Sequence, residues 1–174
     1  IDAHIFRVGG SETRQVAVLF SDITARKRHE QQQAFLLQLS DALRPLADPK
    51  AVRAEAMRVL GEHFGAVRAL FWEAEPDGEH FVTDGGYAHG MPPIASRVRI
   101  DDLGAHVKAH LRIGRTLTIT DTTADPHLSA AELANYEAFG CRAYVGVPLV
   151  KGGQLVATLG LYRTEAYEWK AEEV

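Results

Sequence analysis

The sequence contains a single cysteine, Cys141, among its 174 residues. One cysteine excludes an intrachain disulfide and a metal site built from cysteines alone, and it is typical of a reducing compartment. Long apolar runs are also missing, since none approaches the roughly 20 residues that cross a bilayer. No signal peptide is visible either. We therefore expect a cytoplasmic chain without membrane contact.

An excess of basic charge is missing as well. The formal net charge is −4 and the isoelectric point is about 6.1, which argues against nucleic-acid binding. Hydrophobic residues make up 46% and charged residues 24%, as in an ordinary globular domain. The sequence begins within a strand-like segment and without methionine, so we expect it to be a fragment of a longer protein.

The first 47 residues predict a hairpin and a helix. Two strand-like runs, AHIFRV and RQVAVLF, flank the turn GGSE within residues 1–22. The apolar spacing then becomes helical over residues 23–47. Four apolar residues are spaced by 4, 3 and 4 positions, as in a coiled-coil seam: Phe35, Leu39, Ala42 and Leu46. The same stripe also fits an amphipathic helix lying on its own domain, and both interpretations stay open.

Residues 48–174 alternate helices with hairpins. The turns PDG and KGG each separate two strand-like runs. One helix is predicted from Asp101, as its N-cap, to Leu111. Another is predicted to begin at Ser129, whose spacing to Glu132 matches a capping box. This order predicts an α+β fold with a central antiparallel sheet and helices on both faces, preceded by the hairpin and a long linker helix.

Two stretches of the chain resemble known signalling domains. The segment VAVLFSDITARKRHE resembles the last strand and exit motif of a PAS domain. The resemblance implies that residues 1–22 are the C-terminal hairpin of such a domain. Residues 48–174 resemble a GAF domain on the stretches TDTTADP, FGCRAYVGVPLVKGGQLVATLGLY and EWKAEEV. The resemblance implies a GAF-like fold behind a dimerisation helix, residues 23–47. This order of domains is common in bacterial sensor histidine kinases and related two-component proteins.

The linker helix contains FLLQLSDALRPL, which approximates the phosphoacceptor segment of sensor histidine kinases. Asp41 stands where those proteins carry the phosphorylated histidine, and no kinase ATP-binding loops are visible. We therefore expect no catalytic residues here. The resemblance implies a regulatory module that binds a small molecule or partner and relays the signal through a parallel homodimer. A ligand-free structural dimerisation domain and a GAF-fold enzyme are the alternatives.

The last two strands predict a ligand pocket. One face of each strand is uniformly apolar, whereas the other mixes small residues with tyrosines and leaves volume above the sheet. Asp121, in the loop after an earlier strand, is a further candidate, although a local turn role fits it equally. Alternatively, the two glycines let a helix approach closely. The candidate ligand-binding residues are Tyr144, Gly146, Thr158, Gly160, Tyr162 and Asp121.

His106 and His110 are four residues apart and share one face of a predicted helix. Two imidazoles are the beginning of a metal or haem site, but no third ligand stands at a recognisable spacing. We therefore predict two partly exposed histidines and no metal site.

Known ligands of GAF domains leave no clear signature here, so the cofactor is not predicted. The bilin-attachment cysteine of phytochrome-like GAF domains lies farther upstream than Cys141 and commonly has a histidine beside it, whereas Arg142 follows here. The GAF-fold reductase of free methionine sulfoxide needs cooperating cysteines, which one cysteine does not supply. The signature of cyclic-nucleotide-binding GAF domains is not found either.

Overall fold

The structure, a computed structural model, describes residues 2–8 and 15–173. The chain divides into two compact units, Ile1–Asp41 and Ala42–Val174. Within the described residues, no helix combines the length and the apolar character that crossing a membrane requires.

The first unit contains the predicted hairpin and most of the long helix. Strand β1 (Asp2–Val8) pairs antiparallel with β2 (Gln15–Ser21), while the predicted turn GGSE lies outside the described residues. Helix α1 spans Thr24–Leu43. Its start is stabilised by Asp22, whose carboxylate accepts a hydrogen bond from the backbone N–H of Thr24 at 2.9 Å.

The second unit is a seven-stranded antiparallel sheet with helices on both faces, which confirms the predicted α+β fold. The strand order is β6-β4-β3-β9-β8-β7, and the short β5 also pairs with β3. The elements are α2 (Pro49–His63), β3 (Arg68–Ala74), β4 (His80–Val82), β5 (Gly86–Ala88), β6 (Arg97–Arg99), α3 (Ala105–Arg112), β7 (Leu117–Ile119), α4 (Ala130–Ala138), β8 (Ala143–Lys151) and β9 (Gln154–Arg163).

The sheet separates two hydrophobic cores. On one face, α2 covers a core that includes Val145 and Leu161. On the other face, α3 and α4 cover a core that includes Tyr144 and Tyr162. These neighbours alternate along β8 and β9, so the predicted two-faced character of the last hairpin is confirmed. Leu155, which alternation along β9 would place with Leu161, departs from this pattern, because it lies beyond a register shift in the hairpin and packs with the tyrosine side.

The predicted helix from Asp101 to Leu111 is wrong at its start. Ile100–Leu103 form a 3₁₀ turn, and α3 begins only at Ala105. Gly104 between them has φ 104°, a conformation that an α-helix excludes and that glycine adopts without penalty. Strand β6 was not predicted, because its three residues follow a proline-containing loop and pair only with the distant β4.

The capping box of α4 is confirmed. The Ser129 hydroxyl accepts from the backbone N–H of Glu132 at 3.3 Å, and the Glu132 carboxylate accepts from the backbone N–H of Ser129 at 2.7 Å. Both groups therefore satisfy amides that the first helical turn leaves without partners.

Replacing Ser129 by alanine removes one half of this box. We expect Ser129→Ala to lower the free energy of unfolding by about 1 kcal/mol, measured by urea denaturation. Ser96→Ala, at an exposed loop serine, is the matched control and should change it by less than about 0.5 kcal/mol. Equal effects of the two substitutions would contradict the capping role.

Candidate ligand-binding site

Two tyrosine–glycine pairs form the centre of the sheet face that α3 and α4 cover. Tyr144 lies opposite Tyr162 across β8 and β9, and Gly146 lies opposite Gly160. A Cβ atom at Gly160 would be 2.7 Å from the Tyr162 hydroxyl oxygen, and one at Gly146 would collide with the Tyr144 ring. The space above the glycines is thus filled by the tyrosine rings themselves, not by an empty cavity or a closely packed helix.

An aromatic cluster continues outward from these rings. Trp72 donates its indole N–H to the Tyr162 hydroxyl at 3.1 Å. Phe139, at the end of α4, stacks on Tyr162 with ring centroids 6.2 Å apart. Tyr136 donates its hydroxyl to the backbone carbonyl of Leu103 at 2.9 Å, which fastens α4 to the 3₁₀ turn. Burial raises the pKa of Tyr136 and Tyr162, so both phenols are neutral donors and acceptors at physiological pH.

A cavity of about 500 Å³ lies beside this cluster, between α4 and the sheet edge formed by β4 and β6. Tyr136, Phe139 and Tyr162 supply its aromatic lining, and charged and polar groups line it as well. The lining residues are His80, Ala95, Arg97, Val98, Arg99, Asp102, Leu103, Asn135, Tyr136, Ala138, Phe139 and Tyr162. Such a combination of apolar surface and a few convergent polar groups is characteristic of small-molecule sites.

The charged and polar lining residues have local partners. Arg97 pairs with Glu75 at 2.7 Å, and Arg99 lies 3.6 Å from Asp101. The side-chain amide of Asn135 donates to a backbone carbonyl of the 3₁₀ turn at 3.0 Å. Both guanidinium groups are more than half exposed, so they can exchange these partners for a ligand at little cost.

Arg68 is a buried cation next to the cavity wall, with a relative exposure of 1%. Its guanidinium donates to the carbonyl oxygens of Pro92 at 2.6 Å and Phe139 at 3.3 Å. Burial lowers the pKa of Arg68, because desolvation disfavours the charged form. The residue joins β3 to the loop before β6 and to the end of α4, which are the segments that bound the cavity.

Of the six predicted ligand-binding residues, Tyr162 alone lines this cavity. Tyr144, Gly146 and Gly160 lie in the packed layer beside it, and Thr158 is buried, with its hydroxyl donating to a backbone carbonyl of β8. Asp121 forms a bidentate ion pair with Arg142 at 2.9 and 3.1 Å and accepts from Thr123 in a local turn. Ligand contact by these six residues stays a prediction.

Sequence reasoning missed most residues that line the cavity. Arg97 and Arg99 alternate around one valine, which is a weak strand signal. Arg68 interrupts an apolar run, AVRALFW, and a charge within a buried strand is a usable signal of a built polar contact. The lining residues of α4 carried no signal, because their proximity to β6 depends on the fold.

Cys141 is buried, with a relative exposure of 3%. Burial raises the pKa of its thiol far above the ordinary value, so the reactive thiolate is not populated at neutral pH. It also lies outside the set of residues that line the cavity. A covalent tether for a bilin or a redox-active thiol needs the opposite environment, namely exposure and a low pKa.

Comparisons with known proteins agree with this architecture. The family described as GAF domain matches residues 48–174, so the chain belongs to the GAF domain family. The phycoerythrobilin-bound GAF domain of a cyanobacterial phytochrome superposes with a TM-score of 0.66 at 14% identity, covering 82% of this chain and 86% of that one. These values show a shared fold. No curated protein matches the sequence significantly.

Two further solved structures share the fold. Free methionine-R-sulfoxide reductase from Neisseria meningitidis, in complex with its substrate, has a TM-score of 0.63 at 19% identity, covering 89% of this chain and 83% of that one. The chromophore-binding domain of a bacteriophytochrome from R. palustris has a TM-score of 0.63 at 13% identity. The superposition covers 99% of this chain and 63% of that one.

The burial of Cys141 generates a direct test. We expect the native protein to resist thiol labelling by iodoacetamide at pH 7.5, because the thiol is buried and protonated. The same protein in urea should label at the rate of a free thiol, which serves as the internal control. Labelling of the folded chain at that rate would contradict the buried environment.

Proposed function

We propose that this chain is the regulatory sensory module of a bacterial signal-transduction protein, and that a small molecule binds in the cavity beside α4. The cavity is the observation that carries the proposal. Its volume of about 500 Å³ falls within the range of about 300–1,000 Å³ that small-molecule sites occupy. Its walls come from β6, α4 and the 3₁₀ turn, so a ligand would touch three separate segments of the fold.

The lining of the cavity favours a flat molecule with an anionic or polar edge. Tyr162 and Phe139 present ring surface, on which a planar ligand can stack. Arg97, Arg99 and His80 stand on the adjoining sheet edge, where their donors can reach a carboxylate or a similar group. The buried, neutral tyrosines add contact area without adding charge.

We propose a sensing role over a catalytic one. Cys141 is the chain's single thiol, and its burial argues against reductase chemistry and against a thioether-linked chromophore. Asp41 on α1 has no imidazole to accept a phosphate, so we assign no phosphotransfer to this segment. A ligand that favours one arrangement of the cavity walls over another suffices to switch a regulatory domain.

We further propose that α1 forms a parallel homodimer in a cytoplasmic sensor histidine kinase and that β1 and β2 are the end of a PAS domain. No residue of α1 is buried, although it is a 20-residue helix. Helices of this kind gain most of their stability from packing, so a partner is expected. The hairpin supports the same view, because Ile5 and Val18 pair across it and are both exposed.

The predicted linker helix over residues 23–47 is wrong at its end, because α1 ends at Leu43 and Leu46 lies in the turn beyond it. The predicted stripe is partly buried. Phe35, Leu39, Ala42 and Leu46 are half-buried, whereas Leu36 and Leu37 are 55% and 61% exposed. The heptad spacing favours the stripe as the dimer contact, while its half-burial also fits packing within one chain. The dimer test below distinguishes these arrangements.

Filling the cavity tests the ligand proposal. The probe is the aromatic, anionic dye 8-anilinonaphthalene-1-sulfonate, whose naphthalene ring is flat and whose fluorescence rises in an apolar site. We expect the dye to bind the native protein and Ala138→Trp, at a lining position, to abolish most of that binding. Ala134→Trp is the matched control on the same helix, because it is exposed and does not line the cavity.

Native mass spectrometry of the purified chain provides a second readout for the same site. A retained small molecule that disappears in Ala138→Trp and persists in Ala134→Trp would support the sensor proposal. Dye binding that neither substitution changes, together with no retained molecule, would instead favour a ligand-free structural domain.

A charge in the stripe tests the dimer. We expect Leu39→Asp to yield a monomer in analytical ultracentrifugation, because two buried carboxylates would oppose association. Leu37→Asp, two residues away at an exposed position, is the matched control and should stay dimeric. A monomeric wild-type protein at high concentration would refute the proposal. Unfolding of the whole Leu39→Asp variant would assign the stripe to the chain's own core.

A further inference from the structure

The tertiary structure places a third histidine ring against the two that α3 carries. His127, from the loop between β7 and α4, stacks on His106 with ring centroids 4.3 Å apart and ring planes 13° from parallel. His110 has its ring centroid 4.3 Å from that of His106, with the planes at 58°. His106 therefore contacts two other imidazoles, and its contact with His127 joins α3 to the loop that leads into α4.

The stacked pair accommodates one positive charge more readily than two. A carboxylate oxygen of Asp125 lies 3.0 Å from Nδ1 of His127, so a proton on the His127 ring is compensated by an opposite charge. A neutral His106 ring adds no repulsion to that cation. A second proton, on His106, would instead place two like charges on rings whose centroids are 4.3 Å apart, and like charges at this separation repel.

The surroundings of His106 already oppose that second proton. Burial, followed by the charges of His110 and His127, lowers the pKa of His106 below its ordinary value of about 6.5, and Asp125 acts more weakly in the opposite direction. A His106 ring that leaves the stack regains its ordinary pKa, so the open form binds protons that the stacked form does not. Acid therefore favours the open form, and the stack is most stable above about pH 6.5.

Two further carboxylates near the start of α3 stay charged over this range. Glu132 at the start of α4 lies beside Gly104, and hydrogen bonds from Ser129 lower the pKa of the Glu132 carboxyl. Asp101 of the 3₁₀ turn pairs with Lys108, which lowers the pKa of the Asp101 carboxyl. Both groups are ionised at pH 7.5 and at pH 5.5, so the change in charge comes from the imidazoles.

We propose that the stack of His127 on His106 is a pH-sensitive contact, which holds the loop before α4 against α3 at neutral pH and releases it in mild acid. The N-cap of α4, Ser129, follows His127 by two residues, so release of the loop frees the start of that helix. Because α4 and the 3₁₀ turn line the cavity, the contact would also regulate ligand binding. This last step rests on the proposed function.

Nuclear magnetic resonance tests the titration of His106 directly, through the ring Cε1–H signals of the 174-residue chain. We expect a midpoint below about 6.5 for His106, and His127→Ala should raise it, because the substitution exposes the ring and removes a neighbouring charge. His89→Ala, at another exposed histidine, is the matched control and should not change it. A His106 midpoint at or above about 6.5, or one that His127→Ala does not raise, overturns the proposal.

Amide hydrogen exchange tests the release of the loop. We expect residues 121–129 of the wild-type chain to exchange severalfold faster at pH 5.5 than at pH 7.5, after correction for the intrinsic effect of pH on exchange. His106→Phe keeps a ring that can stack but cannot be protonated, so its corrected rates should be equal at the two pH values. Circular dichroism checks the fold of the variant. Acid-induced acceleration that persists in folded His106→Phe overturns the proposal.

A dye measurement separates this inference from the proposed ligand site. The affinity of 8-anilinonaphthalene-1-sulfonate is compared between the wild type and His106→Phe, so that the ratio cancels the general effect of pH on the dye. Equal affinities at pH 7.5 and weaker wild-type binding at pH 5.5 would support regulation of the cavity, whereas a ratio independent of pH would overturn it. A dye that binds neither protein at pH 7.5 would contradict the proposed ligand site instead, and hydrogen exchange would still decide the pH-sensitive contact.

Discussion

The packing of two tyrosine rings over two glycines is the constraint on which the rest of the site depends. Gly146 and Gly160 lack the atoms that would push the rings of Tyr144 and Tyr162 away from the sheet, so both rings lie close to the strands. Their placement allows the Trp72 indole to reach the Tyr162 hydroxyl and the end of α4 to stack above them. The cavity therefore does not lie above the two glycines but nearer the edge of the sheet, beside β6.

Buried polar groups then hold the walls of that space. Arg68 extends from the middle of β3 to two backbone carbonyls, one in the loop before β6 and one at the end of α4. Taking a guanidinium out of water is costly, and the bonds to the carbonyls offset part of this cost. Because a buried cation needs these partners, it restricts where both segments can lie. The hydroxyl of Tyr136 restrains α4 in the same way through the 3₁₀ turn.

The molecule therefore combines rigid and adaptable parts in a manner suited to regulation. The tyrosine rings and the Arg68 guanidinium are buried and hydrogen-bonded. The arginines on β6 are exposed instead, and their partners are surface ion pairs, which are weak in water. A ligand could rearrange the second group without disturbing the first. Under the proposed function, α1, which buries none of its residues, would supply the surface for a second copy.

The sequence by itself determined the elements whose signals are local. The capping box at Ser129, the two-faced pattern of β8 and β9 and the GAF resemblance of residues 48–174 were all confirmed, since each depends on residues near one another in the chain. Only the tertiary structure placed the cavity at β6 and α4 and brought Arg68 to the carbonyl oxygens of Pro92 and Phe139. These contacts join segments that are distant in sequence, and no local spacing records them. Even the glycines illustrate the difference: Gly146 and Gly160 within the strands suggested empty volume above the sheet, and the folded chain fills it with its own tyrosines.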